Sequence, residues 1–143
     1  MDYNYILRDL IVETNKKSNP KFSIKECKSH FVIHFWATWC SPCKHELPYL
    51  QKIYNKYNDR IDFIFISCDE SKLDIDTFIF NNKFSFPVGY DISGNISSSF
   101  NVRSIPSSFF IKKDSIKNSF DVENVIGFSD PDTLEKKFED FIS

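Results

Sequence analysis

The sequence predicts an α/β domain in three layers, with a central mixed sheet flanked by helices. Three observations carry that prediction. Phe31–Trp36 and Asp62–Ser67 are short aromatic and aliphatic runs bounded by polar residues, the pattern of strands buried on both faces. Between them, Leu47, Leu50, Ile53, Tyr54 and Tyr57 recur at helical spacing among Lys, Glu and Gln, so Ser41–Tyr57 reads as a long amphipathic helix. A strand, helix, strand unit of this kind crosses over right-handed and leaves its strands parallel. Ser107–Lys112 and Asn118–Ile126, joined at Asp114-Ser115, read instead as an antiparallel hairpin, which makes the sheet mixed.

The remaining elements follow in order. Tyr3, Ile6, Leu7, Leu10 and Ile11 mark one face of a short N-terminal helix. Asn15–Pro20 is a polar loop, and Phe22–Ser29 an irregular or single-turn segment. Pro42 suits the first turn of the long helix, where no N–H bond is lost, whereas Pro48 is interior and should bend it. A helix is expected over about Asp74–Lys83, a short strand at Phe86–Tyr90 and a helical turn near Ile96–Asn101. The chain ends in a helix, Pro131–Ile142, with Asp130 as N-cap and Leu134, Phe138, Phe141 and Ile142 facing inward. Neither a repeat nor a linker interrupts this pattern. One domain is expected over residues 1–143, with 1–30 a variable N-terminal extension and 31–142 the core.

Composition narrows the function. With 41% hydrophobic residues, 17% aromatic and 16 Phe, the 143-residue chain can fill a core dominated by phenylalanine. A net charge of −2, from 18 basic and 20 acidic residues mixed along the chain, offers no field for nucleic acid or an anionic membrane, and neither is expected as a partner. The apolar run Tyr5–Val12 is broken by Arg8 and Asp9 and is too short for a membrane span or a signal peptide, so no leader or anchor is expected in the chain as given. Cysteines at 27, 40, 43 and 68 are too few and too uneven for a disulfide scaffold; one close pair and two singles point to chemistry at the pair.

Disulfide exchange needs a thiolate that attacks and a second thiol that releases the mixed disulfide. Cys40-Ser41-Pro42-Cys43 supplies both. If the helix begins at Ser41, Cys40 sits at its N-terminus, where free N–H groups and the helix dipole favour the thiolate, and Cys43 lies one turn inward as the resolving thiol. The same spacing is half a zinc site. A structural zinc wants four ligands, and Cys27, Cys68, His30, His34 and His45 form no second paired knuckle; Cys27 and Cys68 should also lie at opposite edges of the sheet. No metal is expected.

The string Phe35-Trp36-Ala37-Thr38-Trp39-Cys40-Ser41-Pro42-Cys43-Lys44 resembles the active-site signature of the thioredoxin superfamily. Extended through Glu46-Leu47-Pro48, it is most similar to the bacterial TlpA/ResA-type thiol-disulfide oxidoreductases linked to cytochrome c maturation. The likeness runs from about Phe31 to Phe141, specific at the motif and one of pattern elsewhere. It implies a thioredoxin-like fold in which Pro48 is the proline that bends the active-site helix, Ile105-Pro106 the cis-proline element and Gly127 a glycine beside the substrate groove. A cis bond there would expose the N–H and C=O of Ile105 to an extended substrate. Trp39, Ser41 and Pro42 complete the substrate-contacting set that the resemblance suggests.

Two further residues carry open alternatives. The counterpart of Glu46 handles protons in the cytochrome-maturation branch, and a partly buried carboxylate could take the Cys43 proton; otherwise Glu46 is a solvated helix residue. His34 stands where thioredoxins proper carry a buried Asp, so it is either a proton relay or a satisfied core histidine. Lys44 and His45 read as a solvated face, Trp36 as packing beneath the motif, Cys68 as a buried thiol or an auxiliary redox group, and Cys27 as a spare.

The resemblance implies an enzyme exchanging disulfides with protein thiol or disulfide substrates, in the reducing direction, as a monomer supplied by an upstream electron-donor protein and with no cofactor beyond the Cys40/Cys43 pair. It favours an extracytoplasmic or periplasmic site if a leader is missing from the chain shown, and a cytoplasmic one otherwise. Two alternatives differ in class. A peroxidase of the peroxiredoxin type sets a Thr three residues before its reactive Cys, but position 37 is Ala and Thr38 is one place late. A peptide-binding module with incidental cysteines would leave the paired thiols and their Trp-Cys context unexplained.

Overall fold

Chain order places a small antiparallel pair before a five-stranded sheet. A computed structural model describes residues 2–143, with elements α1 (Asn4–Arg8), β1 (Ile11–Glu13), β2 (Lys21–Ser23), β3 (His30–Trp36), α2 (Ser41–Tyr57), β4 (Asp62–Ser67), α3 (Lys72–Asn82), β5 (Val88–Tyr90), α4 (Asn95–Ser99), β6 (Ser107–Asp114), β7 (Ser119–Ile126) and α5 (Pro131–Ile142). The large sheet has the order β5-β4-β3-β6-β7. β3 pairs parallel with β4, from Phe31 opposite Asp62 to Trp36 opposite Ser67, and antiparallel with β6, from His30 opposite Lys112 to Phe35 opposite Ser107. The mixed, helix-flanked sheet is the one the sequence predicts.

β3 is central because every residue from Phe31 to Trp36 is buried, and its two faces feed two cores. Val32 and Trp36 face Leu47, Leu50 and Ile53 of α2 and Phe138 of α5. Phe31, Ile33 and Phe35 face Leu7, Val12, Phe22 and Phe100. Phenylalanine stitches both layers. Phe65 stacks on Phe86 with ring centroids 4.0 Å apart, and Phe35, Phe100 and Phe109 meet pairwise at 5.1 to 5.7 Å, where edge and tilted contacts are favourable. Phe80 departs from the pattern, 82% exposed on α3.

α2 and α5 form as predicted. Cys40 caps α2, Pro42 occupies its first turn, and the helix continues past Pro48, whose missing N–H leaves the Lys44 carbonyl without its ladder partner. Asp130 caps α5 by accepting the Thr133 N–H at 2.9 Å. Leu134, Phe138 and Phe141 are buried beneath it.

The N-terminal region differs from expectation. The helix stops at Arg8, and Ile11, placed on its inner face by periodicity, instead opens β1 and is 59% exposed. Ile11-Val12 is a β-branched pair, and Val12 finds better burial in a strand opposite Phe22. Phe22 therefore lies in β2 and not in an irregular segment; a single 3-10 turn, Ile24–Glu26, follows. Between β1 and β2 the chain covers the β5 edge: Thr14 bridges Gly89, and the Asn15 N–H donates to the Val88 carbonyl at 3.0 Å. Glycine is needed at 89, because a Cβ there would sit 2.7 Å from Val12 Cγ1. Among the described residues no helix is long and apolar enough to cross a membrane.

Candidate active site

The parallel pairing of β3 with β4 brings the segments after Trp36 and Ser67 to one edge of the sheet, and the cysteine pair sits there. Cys40 and Cys43 are joined as a disulfide with Cα atoms 5.2 Å apart. Cys40 occupies the N-cap, and its Sγ accepts the Cys43 N–H at 3.3 Å. Cys40 is 6% exposed and Cys43 wholly buried, while Ser41 and Pro42 between them face solvent. Of the two cysteines, the one at the helix N-terminus is the one that keeps some exposure.

Across from it, the Ile105–Pro106 peptide bond is cis and the Ile105 carbonyl oxygen lies 3.8 Å from Cys40 Sγ. Gly127 joins this edge by donating its N–H to the Pro106 carbonyl at 2.8 Å. Its φ of +95° is a left-handed conformation that suits glycine, although a Cβ there would meet nothing within 4 Å. Trp39, at 67% exposure, and the exposed Ile126 and Phe128 give this end apolar surface; Trp36 packs beneath, fully buried against Phe78. Lys44 and His45 are exposed.

Behind the disulfide lies a buried acid and base. Glu46, on the inner face of α2, accepts the Ser129 N–H at Oε2 (2.9 Å), and its Oε1 stands 3.4 Å from His34 Nε2. His34 shares a hydrogen bond between Nδ1 and Ser108 Oγ at 2.7 Å, while Nε2 makes none. The solvated reading of Glu46 is excluded by its burial. His34 meets half of each reading: Nδ1 is satisfied, and Nε2 faces a carboxyl group. Burial pushes Glu46 up to about 7, offset in part by the Ser129 N–H, and pushes His34 down to about 3. No lysine or arginine contributes at either group.

These shifts have a consequence for stability. Between about pH 4.5 and 6.5 the folded pair holds one proton, on Glu46, and the unfolded pair also holds one, on His34. The depressed histidine loses stability as pH falls from 6.5 towards 3, and the raised carboxyl gains it as pH falls from 7 to 4.5, so the two slopes oppose in that window. Replacing His34 leaves the Glu46 slope uncompensated. His34→Asn should gain about 2 kcal/mol relative to wild type on going from pH 6.5 to 4.5. Urea melts at the two pH values test this, and parallel behaviour of both proteins would rule out the assignment.

Cys27 and Cys68 stand apart. Both are half-buried free thiols, at opposite edges of the sheet, and burial pushes each up to about 12. Among the described residues no group of three or more His, Cys, Asp or Glu side chains is arranged to hold a metal.

With this geometry in place, comparison with known proteins gives a family. The profile of the AhpC/TSA family matches residues 9–118. The chain belongs to that thioredoxin-fold family. It is similar to the thiol-disulfide oxidoreductase ResA of Bacillus cereus, 31% identical over 134 residues, which cover 92% of this chain and 71% of that protein. Its fold is similar to the crystal structure of StoA from Bacillus subtilis, with a TM-score of 0.72 and 25% identity over 89% of this chain and 93% of StoA. The exposed lipoprotein thioredoxin Etrx1 of Streptococcus pneumoniae shares the fold at a TM-score of 0.75 and 22% identity, covering 92% and 98% of the two chains. The chain spans between 43% and 71% of the lengths of the first ResA proteins it matches. The expected thioredoxin-like thiol-disulfide oxidoreductase is thus what the family and the cysteine pair support.

Sequence reasoning missed Ser108 and Ser129, the partners of His34 and Glu46, and the exposed apolar Ile126 and Phe128. It also missed Asp69, whose buried carboxylate accepts the Thr38 N–H at 2.8 Å and the Thr38 and Ser67 hydroxyls at 2.6 Å each. A polar residue two places past the C-terminal end of a strand parallel to β3 was the available signal.

Proposed function

We propose that this protein reduces disulfides of protein substrates, with Cys40 as nucleophile and Cys43 as resolving thiol. The Cys40 thiolate attacks one substrate sulfur, forms a mixed disulfide and releases the other sulfur as a thiolate that takes a proton. Cys43, deprotonated with Glu46 as acceptor, then attacks Cys40 Sγ; the second substrate thiol leaves and the Cys40–Cys43 disulfide forms. Two electrons pass from protein to substrate, and a dithiol donor protein restores them. The observation that carries this reading is the placement of Cys40 Sγ, capped by the Cys43 N–H and 3.8 Å from the Ile105 carbonyl. An extended substrate strand can pair with Ile105 beside Pro106 and Gly127, with Trp39, Ser41 and Pro42 along the facing rim.

The chemistry needs no group beyond the cysteine pair, and the working unit is a monomer. The motif's resemblance to the branch linked to cytochrome c maturation supports the reducing direction, with oxidised apocytochrome c or other envelope proteins as substrates. The resemblance of the motif through Glu46-Leu47-Pro48 to the cytochrome-maturation branch supports an extracytoplasmic setting. The reduced, desalted protein should oxidise stoichiometrically when mixed with a disulfide-bonded peptide, and Cys40→Ser should lose at least about 10³-fold in rate. Equal rates for wild type and Cys40→Ser would sink the reading and favour a peptide-binding module.

A further inference from the structure

We infer that Asp69 is a positioning residue for disulfide exchange, its buried carboxylate clamping both polar groups of Thr38 and thereby fixing how Trp39 and Cys40 leave β3. The inference rests on the proposed exchange function for its meaning and on separate geometry for its support.

Only three residues, Ala37, Thr38 and Trp39, connect the end of β3 to the cap of α2. Within that span one turn bond, Cys40 N–H to the Ala37 carbonyl at 3.2 Å, is local. The other constraint comes from Asp69, 31 residues away, which is 5% exposed. Its Oδ2 accepts the Thr38 N–H at 2.8 Å and the Ser67 O–H at 2.6 Å, and its Oδ1 accepts the Thr38 O–H at 2.6 Å. Ser67 in turn accepts the Asp69 N–H at 3.1 Å, which fixes the carboxylate itself. Capturing the backbone and side chain of one residue with two oxygens of one carboxylate leaves Thr38 a single orientation. Trp39 is thereby directed to solvent and Cys40 to the helix cap.

The clamp also explains Thr38. Its hydroxyl proton is committed to Asp69, one residue away from where the peroxidase reading would need a threonine. Thr38 thus serves the position of the sulfur and not its activation.

The carboxylate accepts three hydrogen bonds from neutral donors, and this makes a discriminating test possible. In Asp69→Asn the amide oxygen can take the Oδ2 role, and the NH₂ can donate to a Thr38 hydroxyl rotated to accept, so the clamp survives without its charge. In Asp69→Ala the Thr38 N–H, the Thr38 O–H and the Ser67 O–H all lose their partner. Thr38→Val keeps the backbone bond and removes only the hydroxyl.

The readout is the pH profile of Cys40 alkylation by iodoacetamide in the reduced protein, with the site mapped by mass spectrometry. If Cys40 drifts from the cap, its thiolate loses the helix N-terminus and alkylation at neutral pH should fall about tenfold in Asp69→Ala, with the midpoint moved up. Thr38→Val should show a smaller fall of the same sign, and Asp69→Asn should recover most of the Asp69→Ala loss. A purely electrostatic role would move the profile down in both Asp69 variants, because removing a negative charge favours the thiolate. A wild-type profile in Asp69→Ala, an Asp69→Asn loss as large as the alanine loss, or a downward shift would each overturn the inference. Where Asp69→Ala does not fold, a wild-type profile in Thr38→Val overturns it. Alkylation does not depend on exchange. Wild-type protein that fails to oxidise with a peptide disulfide, yet shows these profile shifts, would count against the proposed function alone.

Discussion

Cys43→Ser protein should accumulate mixed disulfides on Cys40, with substrate release slowed on the order of 10³-fold or more. The expectation follows from which sulfurs can reach and ionise. Once substrate is bound at Cys40, the thiol of Cys43 is the one held beside that sulfur, one helical turn inward and shielded from solvent. Cys27 lies at the opposite edge of the sheet. Cys68 shares the active-site edge, but burial and the neighbouring Asp91 and Asp69 carboxylates hold it up to about 12. Held that far above neutral pH, the Cys68 thiol supplies too little thiolate to replace the resolver. Non-reducing gels and peptide mapping of the trapped species are the check. Substrate on Cys27 or Cys68, or no trapped species from a substrate that wild type reduces, would reverse the assigned order of attack.

What was legible in the sequence is what local pattern encodes. The β3-α2-β4 unit, the capped α5 and the cysteine pair at a helix start depend on spacing within about ten to thirty residues, and the structure has them. The β1-β2 pair was not legible, because three-residue strands leave too little periodicity to separate Ile11 from a helical face. Longer-range partners were invisible for a different reason. Ser108 lies 74 residues from His34 and Ser129 lies 83 from Glu46, and no local pattern marks a hydroxyl or amide as the answer to a buried side chain that far away. The most instructive case is the buried acid. His34 in the strand position signals its absence, yet the structure restores a carboxylate to the same layer from α2, as Glu46 facing His34 across 3.4 Å.

That relocated acid yields the second large effect. Glu46→Gln should make the protein more stable at pH 8 and slower to release substrate. Cys43 and Glu46 are three apart on the buried face of α2, which is why the carboxylate is the acceptor proposed for the resolving thiol's proton. Removing a positioned base costs about 10²-fold. Wild-type release should rise with pH as Glu46 ionises near 7, and the variant should lack that inflection. Stability runs the other way. The carboxyl is raised in the fold from 4.5 to about 7, so its contribution is fully present below pH 4.5 and is lost as pH rises through 7, amounting to ~3 kcal/mol by pH 8. The variant amide cannot ionise. Its oxygen can accept the Ser129 N–H and its NH₂ can donate to His34 Nε2, the bonds the protonated acid would make. Urea melts of the two proteins should therefore converge near pH 4.5 and separate by pH 8, with the slower enzyme the more stable. Equal separations at both pH values would show that the buried charge is not where the stability goes. Equal release rates with diverging melts would leave Glu46 a buried acid without a part in resolution, and Cys43 would need another base.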